Sequence, residues 1–174
     1  MARHKCFISY HHDDKEEVEE FIKAFCDKER VFIWRGAGVM EQGIIDSDDK
    51  DYVMRRIREL YLTDSTVTIV LIGKCTKSRR YVDWEIASTF RNDPNNKRSG
   101  LLAINLPSMG KNGALPPRLA DNVDKDKLYA RYYTYPKSAG QLEEWIEDAF
   151  QARSTRKDLI VNSRDLFINN RPCS

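Results

Sequence analysis

STVTIVLIGKCTKSRRYVDWEIASTF, residues 65–90, decides how this chain folds. STVTIVLIG (65–73) is apolar almost throughout, as a strand buried on both faces should be. RRYVDWEIASTF (79–90) then places Val82, Ile86 and Phe90 one turn apart on a helical stripe, with Ser78 available as its cap. Glu85 falls beside that stripe, where a core-facing helix is expected to be apolar. A buried strand running into a helix is half of a parallel crossover unit, and the carboxylate on the helix edge asks for a reason.

Strand and helix signals alternate on either side. CFISYH (6–11) is a short β-prone run. DDKEEVEEFIKAFCDKER (13–30) sets Val18, Phe21, Ile22, Phe25 and Cys26 at amphipathic helix spacing, with Asp13 or Asp14 as N-cap. VFIW (31–34) is a second strand and leads into a glycine- and aspartate-rich loop whose segment 36–50 is expected to be mobile. KDYVMRRIRELYL (50–62) is a helix with Val53, Ile57, Leu60 and Tyr61 inward. GLLAINL (100–106) and KLYARYYTY (127–135) are the fourth and fifth strands. The proline- and glycine-rich PSMGKNGALPPRL (107–119) leaves room between them for a very short helix at most. SAGQLEEWIEDAF (138–150) closes with Leu142, Trp145, Ile146, Ala149 and Phe150 at helical spacing.

This alternation predicts an α/β fold: a flavodoxin-like, doubly wound, five-stranded parallel sheet in the order 2-1-3-4-5. One domain spans 1–152, and 153–174 forms a C-terminal extension packed on it or trailing from it. In such sheets ligands sit beyond the carboxyl ends of the strands. Ser9, Tyr10, His11 and His12 should therefore converge there with Trp34, Arg35 and the 73–78 turn. Glu85 would face that cleft rather than the core. Asp83, about 160° away around the helix, is not its partner.

Composition narrows the function classes. The chain has 174 residues, 41% hydrophobic and 32% charged with net charge +2, so neither disorder nor a nucleic-acid partner is indicated. Acidic 13–29 and basic 153–171 read as solvated faces. Cys6, Cys26, Cys75 and Cys173 lack metal-ligand spacing, so no metal is expected, and scattered free thiols suit a reducing cytosol. MARHKCFISYHHDD is no secretory signal and STVTIVLIG falls far short of a membrane span, so a cytoplasmic protein with no membrane partner is expected.

Fixed-position tests separate the doubly wound families. SYHHDD lacks the glycines of a dinucleotide-binding turn, no phosphate-binding P-loop is present, and IVLIGKC lacks the acid of a phosphoacceptor receiver. What remains resembles the TIR domain. FISY followed by polar residues and an acidic helix start looks like its first strand and loop. VFIWRGAGVMEQG looks like its second strand and long loop. TIVLIGKCTKSRRYVDWEI is similar to its third strand followed by Ser-x-x-Trp-x-x-x-Glu, with Tyr81 in place of tryptophan. The resemblance spans about residues 4–150, and more narrowly is to the TIR-like proteins of bacterial Thoeris anti-phage systems.

That resemblance implies cleavage of NAD, as substrate rather than cofactor, at the nicotinamide–ribose bond, with Glu85 as the catalytic residue. It further implies a cyclised or conjugated ADP-ribose that activates a separate effector protein. The ribose passes through an oxocarbenium-like state, which one carboxylate can stabilise. A glutamate near a helix N-terminus is expected to be ionised. The alternative for Glu85 is a carboxylate that caps a loop or pairs with Arg79 or Arg80. His11 could bond ribose or phosphate, or lie exposed; Tyr10 and Ser9 share its loop. Trp34 and Tyr81 could stack on the substrate, or pack in the core; Arg35 could reach phosphates, or stay on the surface. Two rival functions stand beside this one: a non-catalytic adaptor working by homotypic assembly, and a nucleoside deoxyribosyltransferase-like enzyme. A homo-oligomer is compatible with either TIR reading.

Overall fold

A computed structural model describes residues 2–35, 47, 49–60, 62, 64–124 and 128–173. Parallel strands β1 (Lys5–Ser9), β2 (Ile33–Arg35), β3 (Val67–Ile72), β4 (Gly100–Asn105) and β5 (Arg131–Tyr133) form one sheet in the order β2-β1-β3-β4-β5. Helices α1 (Lys15–Ile22), α2 (Lys50–Leu60), α3 (Arg80–Thr89), α4 (Pro117–Ala120) and α5 (Ala139–Thr155) connect and cover them. The expected topology is the observed one, and the short helix between the last two strands is the four-residue α4. Among the described residues no helix is long and apolar enough to cross a membrane.

Period-two alternation sorts the side chains onto two faces. Cys6, Ile8, Ile69, Leu71, Leu102 and Ile104 pack with α1 and α5. Val70, Ile72, Leu101 and Ala103 meet Val82, Ile86 and Phe90 of α3 on the other face, where Phe7 meets α2 and Trp84. Gly100 allows α5 to lie close on β4, because a Cβ there would stand 2.0 Å from the Ala149 carbonyl oxygen.

Helix α3 departs from the single buried stripe its sequence suggests: all residues from Val82 to Thr89 are buried. The sheet covers one side, and the C-terminal tail helps cover the other. Phe167 is buried, its amide donates to Asp83 Oδ2 at 2.9 Å, and its carbonyl accepts from Trp84 Nε1 at 2.8 Å. Asp83 also takes the guanidinium of Arg118, with Nε to Oδ1 at 2.9 Å and Nη2 to Oδ2 at 3.3 Å. Arg118 also donates to Asn162 Oδ1 at 2.8 Å and to the Asp165 carbonyl at 2.9 Å. The arginine of LPPRL is thus a core strut, a role its loop setting did not announce.

Several local expectations change. Ser78 does not cap α3; Arg79 occupies that position, and the Ser78 hydroxyl donates to the Cys75 carbonyl at 2.9 Å. His12–Asp14 form a 3-10 turn before α1, and Asp14 makes no capping bond. Leu60 is exposed, while Arg58 turns inward to Ser99 Oγ at 2.9 Å. Tyr61 and nearly all of the expected mobile segment 36–50 lie outside the described residues. Cys75 and Cys173 are not free thiols but a disulfide with Cα atoms 4.9 Å apart; Cys6 and Cys26 are free. Spacing along the chain could not reveal which distant cysteines the fold would join.

Removing one partner of a buried ion pair strands the other. Arg118→Met should therefore cost about 3–5 kcal/mol of unfolding free energy in denaturant melts. Adding Asp83→Asn to it should recover part of that loss.

Candidate active site

Ser9 ends β1 on the same face as Phe7, because alternate residues share a face, and lies level with Val70 of β3. Its hydroxyl donates to Glu85 Oε2 across the gap to α3, and both residues are buried. Burial pushes the Glu85 carboxyl up to about 8, with the Ser9 hydrogen bond opposing the shift. The expectation of an ionised glutamate is therefore overturned at neutral pH. Glu85 is the sixth residue of α3, beyond the first turn over which a helix dipole acts, so desolvation dominates. Pairing with a neighbouring arginine does not rescue the charge. Arg79 Nη2 donates to Ser78 Oγ and to the Arg171 carbonyl, at 3.1 and 2.9 Å. Arg80 reaches the Ile168 carbonyl at 3.0 Å.

The loop after β1 supplies the surrounding polar groups. Tyr10 is half-buried, and its hydroxyl is raised by burial, then by the nearby charges of Glu19 and Glu85. His11 is buried; desolvation first, then His12 and Arg79, push its imidazole toward the neutral form against the pull of Asp13. Its Nε2 lies 3.1 Å from Asp13 Oδ2. His11, His12 and Asp13 together bring three metal-ligating atoms within 4.8 Å of one another, a grouping that the expectation of no metal, argued from the cysteines, had passed over. Asp13 already bridges the two imidazoles, with His12 Nε2 at 3.0 Å, so hydrogen bonding accounts for the arrangement.

Asp14 is a feature that motif reasoning missed. Its carboxylate occupies the space a side chain on Gly73 would need, with Oδ2 2.1 Å from the position of a Cβ there. That oxygen is buried and has no hydrogen-bond partner among the described residues, and burial raises its carboxyl. Gly73 thus admits the α1 start to the carboxyl end of β3. A glycine directly after a buried strand was the available signal.

Other expected members stand apart. Trp34 pairs in register with Cys6 and so faces α1, on the opposite side of the sheet from Glu85, with 38% of its surface exposed. Arg35 is level with Phe7, two residues short of Ser9, and its Nε lies 3.5 Å from Asp64, which also binds Lys5. The low register of β2 keeps its last residues away from the cleft. Tyr81 packs edge-on against Trp84 at 5.4 Å beneath the Arg80 guanidinium, joining the core beside Leu166. Ser78 is held in the turn before α3 by its bond to Cys75. The structure brings together Ser9 and Glu85, turns the Tyr10 ring to the core on the α1 and α5 face, and disperses the rest.

The segment that carries this buried acid, and the hydroxyl that holds it, also matches a known family. Residues 7–111 match the family model described as the TIR-like domain of Thoeris protein ThsB, a span containing both Ser9 and Glu85. No curated protein matches the chain significantly. With three-fifths of its length matched, the chain belongs to the TIR-like domain family of Thoeris protein ThsB.

Proposed function

We propose that this protein is an NAD-cleaving TIR enzyme of Thoeris-type anti-phage defence, with Glu85 as its catalytic residue. The observation that carries the reading is the desolvated Glu85 carboxyl held by Ser9 at the carboxyl end of the sheet. NAD presents a quaternary nicotinamide nitrogen. When the bond to ribose C1′ breaks, nicotinamide keeps the electron pair and leaves neutral, so no proton need be delivered. The positive charge passes to the ribose as an oxocarbenium-like centre, which an adjacent carboxylate stabilises.

A glutamate that is neutral when the site is empty suits this task. In a dry site its charge costs free energy until a cation arrives, and the nicotinium supplies one. Binding would then release the Glu85 proton to solvent and turn the carboxyl into the anion that follows the charge from nicotinamide to ribose. Ser9 holds Oε2 in place. Keeping water away from C1′ lets an internal nucleophile of the ADP-ribose, or an added one, capture it instead. The product is then a cyclic or conjugated ADP-ribose that switches on a separate effector.

Mass spectrometry of an activated sample with NAD should show nicotinamide and a product distinct from linear ADP-ribose. Linear ADP-ribose alone would leave a simple hydrolase. No nicotinamide under any activating condition would leave the assembly adaptor.

Glu85→Gln keeps the size and the acceptor for Ser9 but removes the anion, so turnover should fall on the order of a hundredfold or more. If the free enzyme must ionise Glu85, kcat/KM in the wild type should rise with pH through about 8. Stability should move the other way. The folded carboxyl holds its proton up to about 8, against an ordinary value of 4.5, so stability is fully present below the latter and lost as pH rises through the former. Glu85→Gln should therefore gain roughly 2–4 kcal/mol over wild type in melts at pH 9, and little at pH 4.

A further inference from the structure

The tail from Asp165 to Cys173 is fastened along the start of α3, residue by residue. The Phe167 amide meets Asp83, and Arg80 reaches the Ile168 carbonyl. Asn170 Oδ1 accepts from the Arg80 amide at 2.9 Å, and the Arg171 amide donates to the Ser78 carbonyl at 2.9 Å. The Arg171 guanidinium folds back over the Phe167 ring at 3.9 Å. The last fastening is the bond from Cys173 to Cys75, which lies in the turn between β3 and α3. This strap therefore ends on the segment that launches the Glu85 helix.

The setting favours thiol chemistry at that bond. Cys75 and Cys173 are both only partly buried, so a small thiol can reach them. Residues 74–80 (KCTKSRR) and 169–173 (NNRPC) hold five cationic side chains and no acid. Such surroundings favour thiolates over thiols and attract an anionic reagent. The free cysteines do not share this setting: Cys6 is fully buried, with its thiol pushed well up by desolvation, and Cys26 sits on the opposite helical layer.

We propose that Cys75 and Cys173 are a redox modification site, read by a low-molecular-weight anionic thiol–disulfide couple, whose bonded state locks the C-terminal strap onto the helix that carries Glu85. In the reducing direction an external thiolate attacks one protein sulfur, forming a mixed disulfide while the other sulfur leaves with the electron pair and takes a proton. A second external thiolate then attacks the external sulfur of that mixed disulfide and releases the remaining protein thiol. Two external thiols become one disulfide as one protein disulfide becomes two thiols, and oxidation runs the same steps in reverse. Closure joins residues 98 apart, so it removes much of the freedom of the loosened tail. The consequence for turnover rests on the NAD reading above; the switch itself does not.

The full chain should be equilibrated with glutathione and glutathione disulfide at graded ratios, its free thiols alkylated, and the peptides weighed. The Cys75–Cys173 bond is expected to titrate reversibly, with Cys6 and Cys26 forming none. Hydrogen exchange on the same samples should speed up at least tenfold on reduction at the Arg80, Phe167 and Arg171 amides, and stay unchanged in β3 and β4. Cys173→Ser should exchange like the reduced wild type at every ratio. A pair that never forms, or strap amides that exchange equally in both states, would overturn the proposal. With NAD, kcat of reduced wild type and of Cys173→Ser should fall severalfold together; an unchanged kcat alongside faster exchange would overturn the coupling to Glu85. If no form cleaves NAD, the functional reading fails while exchange still decides the switch.

Discussion

Asp83 and Arg118 form a buried ion pair on which the arrangement around α3 depends. A guanidinium with all its surface removed from water needs hydrogen-bond acceptors, and this one makes four bonds, to α3 and to the tail. Asp83 comes from α3, Arg118 from α4, and the carbonyl of Asp165 and the amide oxygen of Asn162 from the tail. None of these pieces can shift without exposing or stranding a charge. A lone apolar contact would tolerate sliding, whereas a forked donor set on a carboxylate fixes both distance and orientation. The helix that carries Glu85 is thereby held in register from its far side.

The two acids of α3 show how environment divides one residue class into two roles. Asp83 has a guanidinium and a backbone amide, while Glu85, two residues on and across the helix, has one hydroxyl. A carboxylate with charge-assisted partners is settled and inert. One with a single neutral donor in a dry pocket is expensive to ionise, and that expense is recovered when a cation enters. Position on the helix decides which fate each acid meets, because Asp83 faces α4 and the tail while Glu85 faces the end of β1.

Much of this was legible from residues alone. The apolar run of β3, the stripe on α3 and the strand–helix alternation lead to the observed sheet order, since parallel strands need crossovers and crossovers have one hand. Glu85 stood out because a polar residue beside an apolar stripe violates the period. What stayed hidden depends on contacts between segments far apart in sequence. The register of β2 sets Arg35 level with Phe7, two residues short of Ser9, and beside Asp64. Asp14 beside Gly73, Arg118 in the core and the Cys75–Cys173 bond all join segments whose proximity no local pattern encodes. The ionisation of Glu85 was misjudged for a related reason. Helix position can be counted from sequence, but the depth of burial that outweighs it cannot.

The enclosure of α3 explains why its sequence looks only weakly amphipathic. A helix with solvent on one side keeps a polar face, but one wrapped by sheet, neighbouring helices and tail must satisfy its polar atoms internally. Ser88 returns its hydroxyl to the Trp84 carbonyl at 2.7 Å, and Thr89 bonds the Glu85 carbonyl at 2.9 Å. Thr89 also meets Thr68 of β3 at 2.9 Å, and Trp84 Nε1 finds the tail. Of the two acids on this helix, Asp83 takes the Arg118 guanidinium, while Glu85 meets only the Ser9 hydroxyl among the described residues. A scaffold that meets one acid of a helix with a guanidinium and the other with a single hydroxyl concentrates the cost of charge on the second, and so makes that acid responsive to a cation brought from outside.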